Sequence, residues 1–183
     1  MKKAVFLDRD GVINRKAPEG QYITSWKEMK FLPGVARAIA LLNRARFRVI
    51  VVSNQRCVAK GLITLEDLYA MNRRMCKDLT ASGAIIDDAY YCPHDKQPSC
   101  KCRKPAPGLL LRAAREHHIN LAASWMIGDS GSDIEAGRSA GCSTALILHD
   151  HEAASGNPDV FAHSLLDATR QILRLKSHKC ASE

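Results

Sequence analysis

KAVFLDRDGV, residues 3–12, joins a short apolar run to two aspartates, Asp8 and Asp10, that are separated by one arginine. The apolar run has the composition of a buried strand, whereas aspartate is a poor strand former and neighbouring carboxylates repel each other. Such a cluster is stable where a cation neutralises it. The stretch therefore predicts a strand that ends at a cation-binding site. A polar turn after an edge strand is the alternative that this stretch alone leaves open.

Apolar runs and segments of helical periodicity alternate along the rest of the chain. Because the apolar runs do not alternate with polar residues, helices are expected to cover both faces of a parallel sheet. The sequence predicts one α/β domain over residues 1–183, a Rossmann-like three-layer sandwich with a mostly parallel central sheet and a flexible tail at about 176–183. After the first strand, strands are predicted at 48–52, 84–92, 124–129, 144–148 and 160–161, and helices at 35–46, 64–81, 108–117, 133–140 and 164–175.

The composition is that of an ordinary globular protein, with 46% apolar and 25% charged residues among 183. No run of about 18 apolar residues that could span a membrane is present, and the apolar run after the initial MKK is too short for a secretory signal. The seven cysteines are odd in number and irregularly spaced, which argues against a disulfide framework. We therefore expect a cytoplasmic monomer that does not contact a membrane.

The net charge of +8 indicates an anionic partner. Nucleic acid is not expected, because no run of five like charges occurs and only 5% of the residues are aromatic, which leaves few platforms for base stacking. A phosphorylated small molecule is the partner that the charge favours.

Polar side chains follow four consecutive predicted strands. In open α/β sheets, ligands bind beyond the carboxyl ends of the strands, where the strand order switches. We therefore expect these side chains to meet at one edge of the sheet. They are Asp8 and Asp10 after the first strand, Ser53, Asn54 and Gln55 after the second, Arg103 and Lys104 after the third, and Asp129 and Asp133 after the fourth.

This set of side chains suits phosphoryl transfer through an aspartyl-phosphate. Carboxylates from two strand ends offer the hard oxygen ligands that Mg²⁺ prefers. The cation lets Asp8 approach an anionic phosphate, while Lys104 and the Ser53 hydroxyl stabilise charge on the phosphoryl oxygens. Asp10 points to the same side as Asp8 while the chain stays extended. It can therefore act as general acid to the leaving group and then as general base to water.

Four motifs in the chain resemble those of the haloacid dehalogenase superfamily of phosphatases, in their order and at the expected strand ends. They are DRDGV at 8–12, SNQ at 53–55, RKP at 103–105 and GDSGSD at 128–133. The resemblance implies a fold without a large cap domain. It also implies Asp8 as nucleophile, Asp10 as general acid/base, Ser53 and Lys104 as phosphoryl-binding groups, a Mg²⁺ site made by Asp8, the Asp10 carbonyl and Asp129, and Asp133 as a support for that site.

The segment YCPHDKQPSCKCRKP, residues 91–105, contains a second group of candidate metal ligands. The thiols of Cys92, Cys100 and Cys102 and the imidazole of His94 can close a tetrahedron around Zn²⁺ and leave no position open for a catalytic water. The alternative is a set of free thiols in a flexible loop. We predict a structural zinc loop at about 92–105, because a loop of this length needs a clamp to hold Lys104 at a fixed distance from Asp8.

The zinc loop resembles the branch of the superfamily that contains D-glycero-D-manno-heptose 1,7-bisphosphate phosphatases and histidinol-phosphate phosphatases. The loops expected over the site carry more cations than anions, namely Arg15, Lys16, Arg56, Lys101 and Arg103 against Glu19 and Asp95. This balance favours a substrate with a second phosphate, since histidinol phosphate presents an ammonium and an imidazole there. Arg103 is expected to bind that far end, and further substrate contacts are predicted at Gly20, Gln21, Tyr22, Asn54, Gln55, Arg56 and Ser130.

The function predicted on these grounds is hydrolysis of the 7-phosphate of the heptose bisphosphate, in the synthesis of heptose precursors for the lipopolysaccharide core or an S-layer. Three other interpretations stay open at this point. A histidinol-phosphate phosphatase of histidine biosynthesis would use the same motifs, and a phosphotransferase would differ only in the acceptor. A non-enzymatic zinc-binding module would leave the aspartates and Lys104 unexplained.

Overall fold

The computed structural model describes residues 1–96, 100–149 and 156–180 and shows a six-stranded sheet in the order β3-β2-β1-β4-β5-β6. Every neighbouring pair of strands is parallel, so the predicted fold class is confirmed. The strands are β1 Ala4–Leu7, β2 Arg48–Asn54, β3 Asp88–Cys92, β4 Trp125–Gly128, β5 Ser143–Ile147 and β6 Val160–Ala162.

Helices cover both faces of this sheet. They are α1 Val35–Arg44, α2 Arg56–Ala59, α3 Leu65–Ala81, α4 Gly108–His117, α5 Gly131–Ser139 and α6 Leu165–Cys180. Successive strand residues point to opposite faces: Val5 and Leu7 pack with α1, α3 and α6, whereas Ala4 and Phe6 pack with α4 and α5. Burial on both sides explains why the strands are apolar throughout, and the arrangement is the expected three-layer sandwich.

Several element boundaries differ from the sequence-based expectation. Strand β3 begins at Asp88 instead of 84, because the Asp87 carboxylate turns to accept the backbone N–H of Val49 at 2.8 Å. Helix α5 begins two residues early, because Ser130 and Asp133 form a capping box. Helix α6 continues to Cys180, and the end of the predicted flexible tail, 181–183, lies outside the described residues. The short helix α2 has no periodicity long enough to predict it.

The sheet topology places the candidate site. The chain runs from β1 to β2 and β3 on one side and then returns to β4 on the other side of β1. The switch in strand order therefore lies between β1 and β4, where the carboxyl ends of both strands open to ligands. The long connections 8–34 and 93–107 contain no helix or strand in their described residues, so the described part of the chain has no cap domain. None of its helices is long and apolar enough to cross a membrane.

Candidate active site

Three buried carboxylates meet at the switch point. Asp8 follows β1, Asp129 follows β4 and Asp133 lies in the first turn of α5. Each offers a carboxylate oxygen that lies within 4.8 Å of one from each of the other two. The close approach depends on two glycines: a Cβ at Gly128 would lie 2.1 Å from the Asp133 Cβ, and one at Gly11, whose φ is +89°, would lie 2.0 Å from Asp129 Oδ2. The topology and the glycines together create a concentrated negative charge.

Lys104 delivers a permanent positive charge to this cluster. Its Nζ lies 2.8 Å from Asp8 Oδ1 and 2.5 Å from Asp133 Oδ1, and it also donates to the Val52 carbonyl at 2.8 Å. The side chain is only 2% exposed. Burial alone would lower the pKa of Lys104, but the carboxylates of Asp133 and Asp8 outweigh it and raise that pKa. The ammonium therefore stays charged next to the predicted nucleophile.

Two ammonium groups, Lys104 and Lys16, whose Nζ lies 2.7 Å from Asp129 Oδ2, do not balance three carboxylates, and the site fits a further cation. Burial, followed by repulsion from Asp8, raises the pKa of Asp129 to about 6. Burial also raises the pKa of Asp133, although Lys104 opposes it. Asp129 Oδ2 is buried, and the ion pair with Lys16 opposes this rise in the pKa of Asp129. A set of hard oxygen donors that carries more negative than positive charge suits Mg²⁺, which would reverse these pKa shifts.

Asp10 lies beside this cluster in a network of its own. Its carboxylate accepts hydrogen bonds from Arg9 at 2.9 to 3.2 Å, from Asn14 Nδ2 at 2.8 Å and from Gln55 Nε2 at 2.9 Å. Arg9 is almost fully buried, at 1% exposed. Among the described residues, the close carboxylate group does not include the Asp10 side chain. The Asp10 side chain thus lies apart from the three clustered carboxylates, and its role in proton transfer stays a prediction.

Strand β2 extends to Asn54, beyond the predicted end at residue 52, and Asn54 and the following Gln55 hold two of the predicted groups in place. Gln55 Nε2 donates to the Ser53 hydroxyl at 3.1 Å as well as to Asp10. The Asn54 amide accepts the Lys104 N–H and donates to the Lys104 carbonyl, both at 3.0 Å. Asn54 and Gln55 were predicted to contact substrate, but their side-chain amides form hydrogen bonds with other residues of the protein. Their observed contacts position Ser53, Asp10 and Lys104.

The predicted zinc ligands come together around one point. The Sγ atom of Cys100 lies 3.6 Å from that of Cys92 and 3.4 Å from that of Cys102, and the Nδ1 atom of His94 lies 3.3 to 3.6 Å from the three sulfurs. These separations are close to the edges of a tetrahedron with the usual Zn–S and Zn–N bonds, about 3.5–3.8 Å. The geometry therefore fits zinc, and residues 97–99 of this loop lie outside the described residues.

The protonation of these thiols also suits a cation. Although burial opposes it, hydrogen bonds from the Cys102 side chain and from backbone N–H groups lower the pKa of Cys100 to about 6. Burial and the neighbouring thiols Cys92 and Cys100 raise the pKa of Cys102. Without a metal ion, the cluster therefore favours a thiolate at Cys100 and neutral thiols at Cys92 and Cys102. No disulfide links the described cysteine side chains, which are Cys57, Cys76, Cys92, Cys100, Cys102 and Cys142.

A cavity of about 650 Å³ lies beside the zinc loop, and Lys104 forms part of its wall. Arg103 projects from the zinc loop, and its guanidinium donates to the carbonyl of the zinc-ligand candidate His94 at 3.2 Å. The positive lining fits an anionic ligand longer than phosphate alone. Its walls are Asn54, Lys96, Cys100, Arg103, Lys104, Pro105, Ala106 and Ser132.

Other predicted substrate contacts have different surroundings. The Ser130 hydroxyl donates to Asp133 Oδ2 at 2.6 Å and caps α5, and Ser132 lines the cavity instead. Arg56 forms an ion pair with Asp95 of the zinc loop. This pair removes one cation and one anion from the charge balance that the sequence suggested.

The remaining predicted contacts belong to the loop after β1. Tyr22 packs against the small apolar cluster around Cys57. Gly20 and Gln21 are exposed. These positions stay predictions.

Sequence reasoning missed three residues that shape the site, Arg9, Asn14 and His149, and it expected Lys16 near the substrate but not at a carboxylate. Arg9 and Asn14 bind Asp10, Lys16 Nζ lies 2.7 Å from Asp129 Oδ2, and His149 donates to the Gly11 carbonyl at 2.9 Å. The position of Arg9 between two aspartates was a usable signal for an internal ion pair. Lys16 and His149 are brought to the site by loops, and no local pattern predicts that.

The chain is similar to known phosphatases. The model of the HAD-hydrolase-like family matches residues 101–168. A D-glycero-beta-D-manno-heptose-1,7-bisphosphate 7-phosphatase of Rhodopseudomonas palustris is 39% identical over 147 residues, 76% of this chain and 80% of that protein. A D-glycero-alpha-D-manno-heptose-1,7-bisphosphate 7-phosphatase of Mycobacterium bovis is 41% identical over 132 residues, 72% of this chain and 69% of that protein. Enzymes named for both anomers are thus similar to this chain.

A solved structure has nearly the same fold. It is the D,D-heptose 1,7-bisphosphate phosphatase from B. bronchiseptica complexed with magnesium and phosphate, with a TM-score of 0.86 and 31% identity. The match covers 94% of this chain and 99% of that one. A fold without a large cap domain is therefore shared over the full length of that protein.

Proposed function

Since this chain belongs to the haloacid dehalogenase-like phosphatases, in the group of D-glycero-D-manno-heptose 1,7-bisphosphate 7-phosphatases, we propose that it removes the 7-phosphate of that heptose bisphosphate through an aspartyl-phosphate. One observation carries the proposal. The Lys104 ammonium lies 2.8 Å from the Asp8 carboxylate, two further carboxylates lie beside Asp8, and Lys104 also lines a cavity together with Lys96 and Arg103. This is the arrangement that a phosphate-accepting aspartate requires.

The reaction has two displacements. An Asp8 carboxylate oxygen forms a bond to the phosphorus of the 7-phosphate, and the bond to the sugar oxygen breaks while Asp10 gives that oxygen a proton. In the second step Asp10 takes a proton from water, which attacks the phosphorus and releases inorganic phosphate and the Asp8 carboxylate. Asn14 and Gln55 hold Asp10 next to the nucleophile for both steps.

Charge on the phosphoryl group is met by groups already in place. The Lys104 ammonium and the Ser53 hydroxyl are buried, so they stabilise phosphoryl oxygens without the reorganisation that water would need. Asp8, Asp129 and the Asp10 carbonyl would hold Mg²⁺, which when bound neutralises charge between the nucleophile and the phosphate. The phosphate complex of the B. bronchiseptica relative, which contains magnesium, supports this assignment.

The zinc loop supplies substrate selection. Arg103 lies on the cavity wall close to Lys104, where it can bind the 1-phosphate with two parallel N–H donors. A Zn²⁺ ion held by Cys92, His94, Cys100 and Cys102 would stiffen the loop that carries both residues. Histidinol phosphate is not favoured, because its ammonium would face the cations Lys96 and Arg103.

The product, a heptose 1-phosphate, would enter the synthesis of nucleotide-activated heptose for a lipopolysaccharide core or an S-layer. We infer, as the sequence predicts, that the enzyme acts in the cytoplasm as a monomer on a phosphorylated sugar.

The proposal is tested by measuring phosphate release from the heptose bisphosphate with and without Mg²⁺. The expected result is Mg²⁺-dependent release of one equivalent, with the 1-phosphate retained in the product. Histidinol phosphate serves as the matched competitor substrate. A higher kcat/KM for histidinol phosphate than for the heptose bisphosphate would contradict the proposed substrate, and a lack of turnover with both would contradict the proposed activity.

A further inference from the structure

Lys16 is the second cation that reaches the carboxylate cluster, and it does so differently from Lys104. Its Nζ lies 2.7 Å from the buried Asp129 Oδ2. His149 Nε2 is farther from this oxygen, at 3.8 Å. Lys104 contacts Asp8 and Asp133. The two lysines therefore divide the three carboxylates between them.

The exposure of the two lysines indicates different roles. The Lys104 side chain is 2% exposed and also donates to a backbone carbonyl. Its withdrawal would leave buried carboxylates without their cation, which is costly. The Lys16 side chain is 48% exposed, although the Asp129 carboxylate that it binds is 2% exposed. A long, flexible and largely hydrated side chain can withdraw into water at small cost. Lys16 is thus an exchangeable partner of a fixed anion.

We propose that Lys16 is a tethered counter-cation for Asp129, which neutralises this carboxylate in the metal-free protein and withdraws when Mg²⁺ binds. The inference rests on the magnesium site proposed above, and it adds a residue that sets the affinity of that site. Because Lys16 and Mg²⁺ compete for one carboxylate, Lys16 lowers the apparent affinity for Mg²⁺. It also lowers the free energy of the metal-free state, in which three carboxylates would otherwise repel one another.

A different role for Lys16 makes a different prediction. If its ammonium acts only on the substrate phosphate, removal of the charge raises KM and leaves the binding of Mg²⁺ to the free enzyme unchanged. Calorimetric titration with Mg²⁺ in the absence of substrate separates the two roles and does not depend on turnover. The protein is first dialysed free of Mg²⁺ without a chelator that would remove zinc.

Lys16→Met is compared with Lys30→Met and Lys16→Arg. Lys30 is exposed, its backbone carbonyl accepts the Arg15 N–H, and its side chain forms no ion pair with the described residues. Lys30→Met therefore removes the same positive charge as Lys16→Met without removing a contact to Asp129. We expect Lys16→Met to bind Mg²⁺ roughly two- to fivefold more tightly, the range for one partly exposed ion pair. Lys30→Met and Lys16→Arg should stay near the wild-type value.

Thermal unfolding gives a second readout. The Lys16→Met protein should melt at a lower temperature than wild type without Mg²⁺ and gain more from its addition. Unchanged or weaker Mg²⁺ binding by Lys16→Met would overturn the proposed role of Lys16, and so would an equal gain in affinity in Lys30→Met. Neither result would contradict the magnesium site. If the wild-type protein binds no Mg²⁺, the magnesium site itself is wrong and this inference falls with it.

Discussion

The two groups of candidate metal ligands are held together by different parts of the structure. The carboxylates Asp8, Asp129 and Asp133 are attached to two neighbouring strands and the helix that follows one of them, and Lys104 pairs with two of them. In the cysteine and histidine group, only Cys92 belongs to a strand, and the other three ligands lie in a loop. The first site is organised by the sheet before a metal arrives. The second holds its loop in shape through the ligands themselves.

This difference suggests how each metal contributes. A site preorganised by strand ends can exchange a weakly bound ion during catalysis, with Lys16 and Lys104 limiting the repulsion between carboxylates. A loop that offers three thiolates and one imidazole would be ordered by a tightly bound ion. The loop is connected to the catalytic centre through Lys104, which the Asn54 amide clamps to β2. Zinc should therefore affect catalysis through position, and magnesium through charge.

Asp10→Asn gives the largest effect among the predictions that separate the two regions. Loss of proton transfer should reduce kcat for the heptose bisphosphate by roughly 10²–10⁴-fold. An aryl phosphate, whose leaving group needs no proton, should still phosphorylate Asp8 in a burst. If Asp10→Asn reduced the burst rate and the steady-state rate by the same factor for the aryl phosphate as for the heptose bisphosphate, the role of Asp10 would be contradicted. Arg9 loses its carboxylate partner in this variant, so activity is measured well below the melting temperature.

Cys100→Ser tests the zinc loop. We expect the variant to lose bound zinc and melt at a lower temperature, and to show kcat/KM reduced by about 10²-fold, the cost of displacing a catalytic group by about 1 Å. Zinc is measured by elemental analysis. Cys76→Ser is the matched control, because Cys76 lies in α3 outside the cluster. Full activity in a zinc-free Cys100→Ser protein would show that the loop positions Lys104 without the metal.

Arg103→Ala tests selection of the second phosphate. Loss of a charge-assisted hydrogen bond costs about 1.5–3 kcal/mol, so kcat/KM for the bisphosphate should fall roughly 10- to 150-fold. A small monophosphate lacks the far phosphate and should be affected much less. The ratio of the two kcat/KM values is the measurement. An equal loss for both would place Arg103 at the reacting phosphate instead.

Asp95→Asn tests the ion pair that joins the zinc loop to α2. Both partners are partly exposed, at 29% for Arg56 and 40% for Asp95, so solvent screens the pair. We expect a rise in KM of roughly two- to fivefold, with kcat and zinc content unchanged. Asp78→Asn, on the exposed side of α3, is the control for the loss of one negative charge. A fall in zinc content would show that the pair belongs to the folding of the loop.

Sequence alone predicted the features that depend on local pattern. The apolar runs identified the sheet, and the polar residues after each strand identified Asp8, Ser53, Lys104 and Asp129 as neighbours, because parallel strands bring their carboxyl ends to one edge. The spacing of the cysteines and His94 identified the second cluster. Features created by the meeting of loops could not be read in this way.

Lys16 is an example of the second kind. Its contact with Asp129 joins residues more than a hundred positions apart through an irregular loop, for which no periodicity exists. Arg56 was expected at the substrate because it follows a strand, but Asp95 on another loop neutralises it. Strand ends specify which residues approach the site. Side-chain partners, which decide the role of each residue, depend on the full tertiary structure.

The central claim, that Asp8 receives the phosphoryl group, is tested by trapping the intermediate. The Asp10→Asn protein is mixed with radiolabelled substrate and Mg²⁺ and quenched in acid, and the acyl phosphate is reduced with borohydride and located by mass spectrometry. The predicted result is homoserine at position 8, with no label and no turnover in Asp8→Asn. Substantial turnover in Asp8→Asn, or label on another residue, would contradict the account.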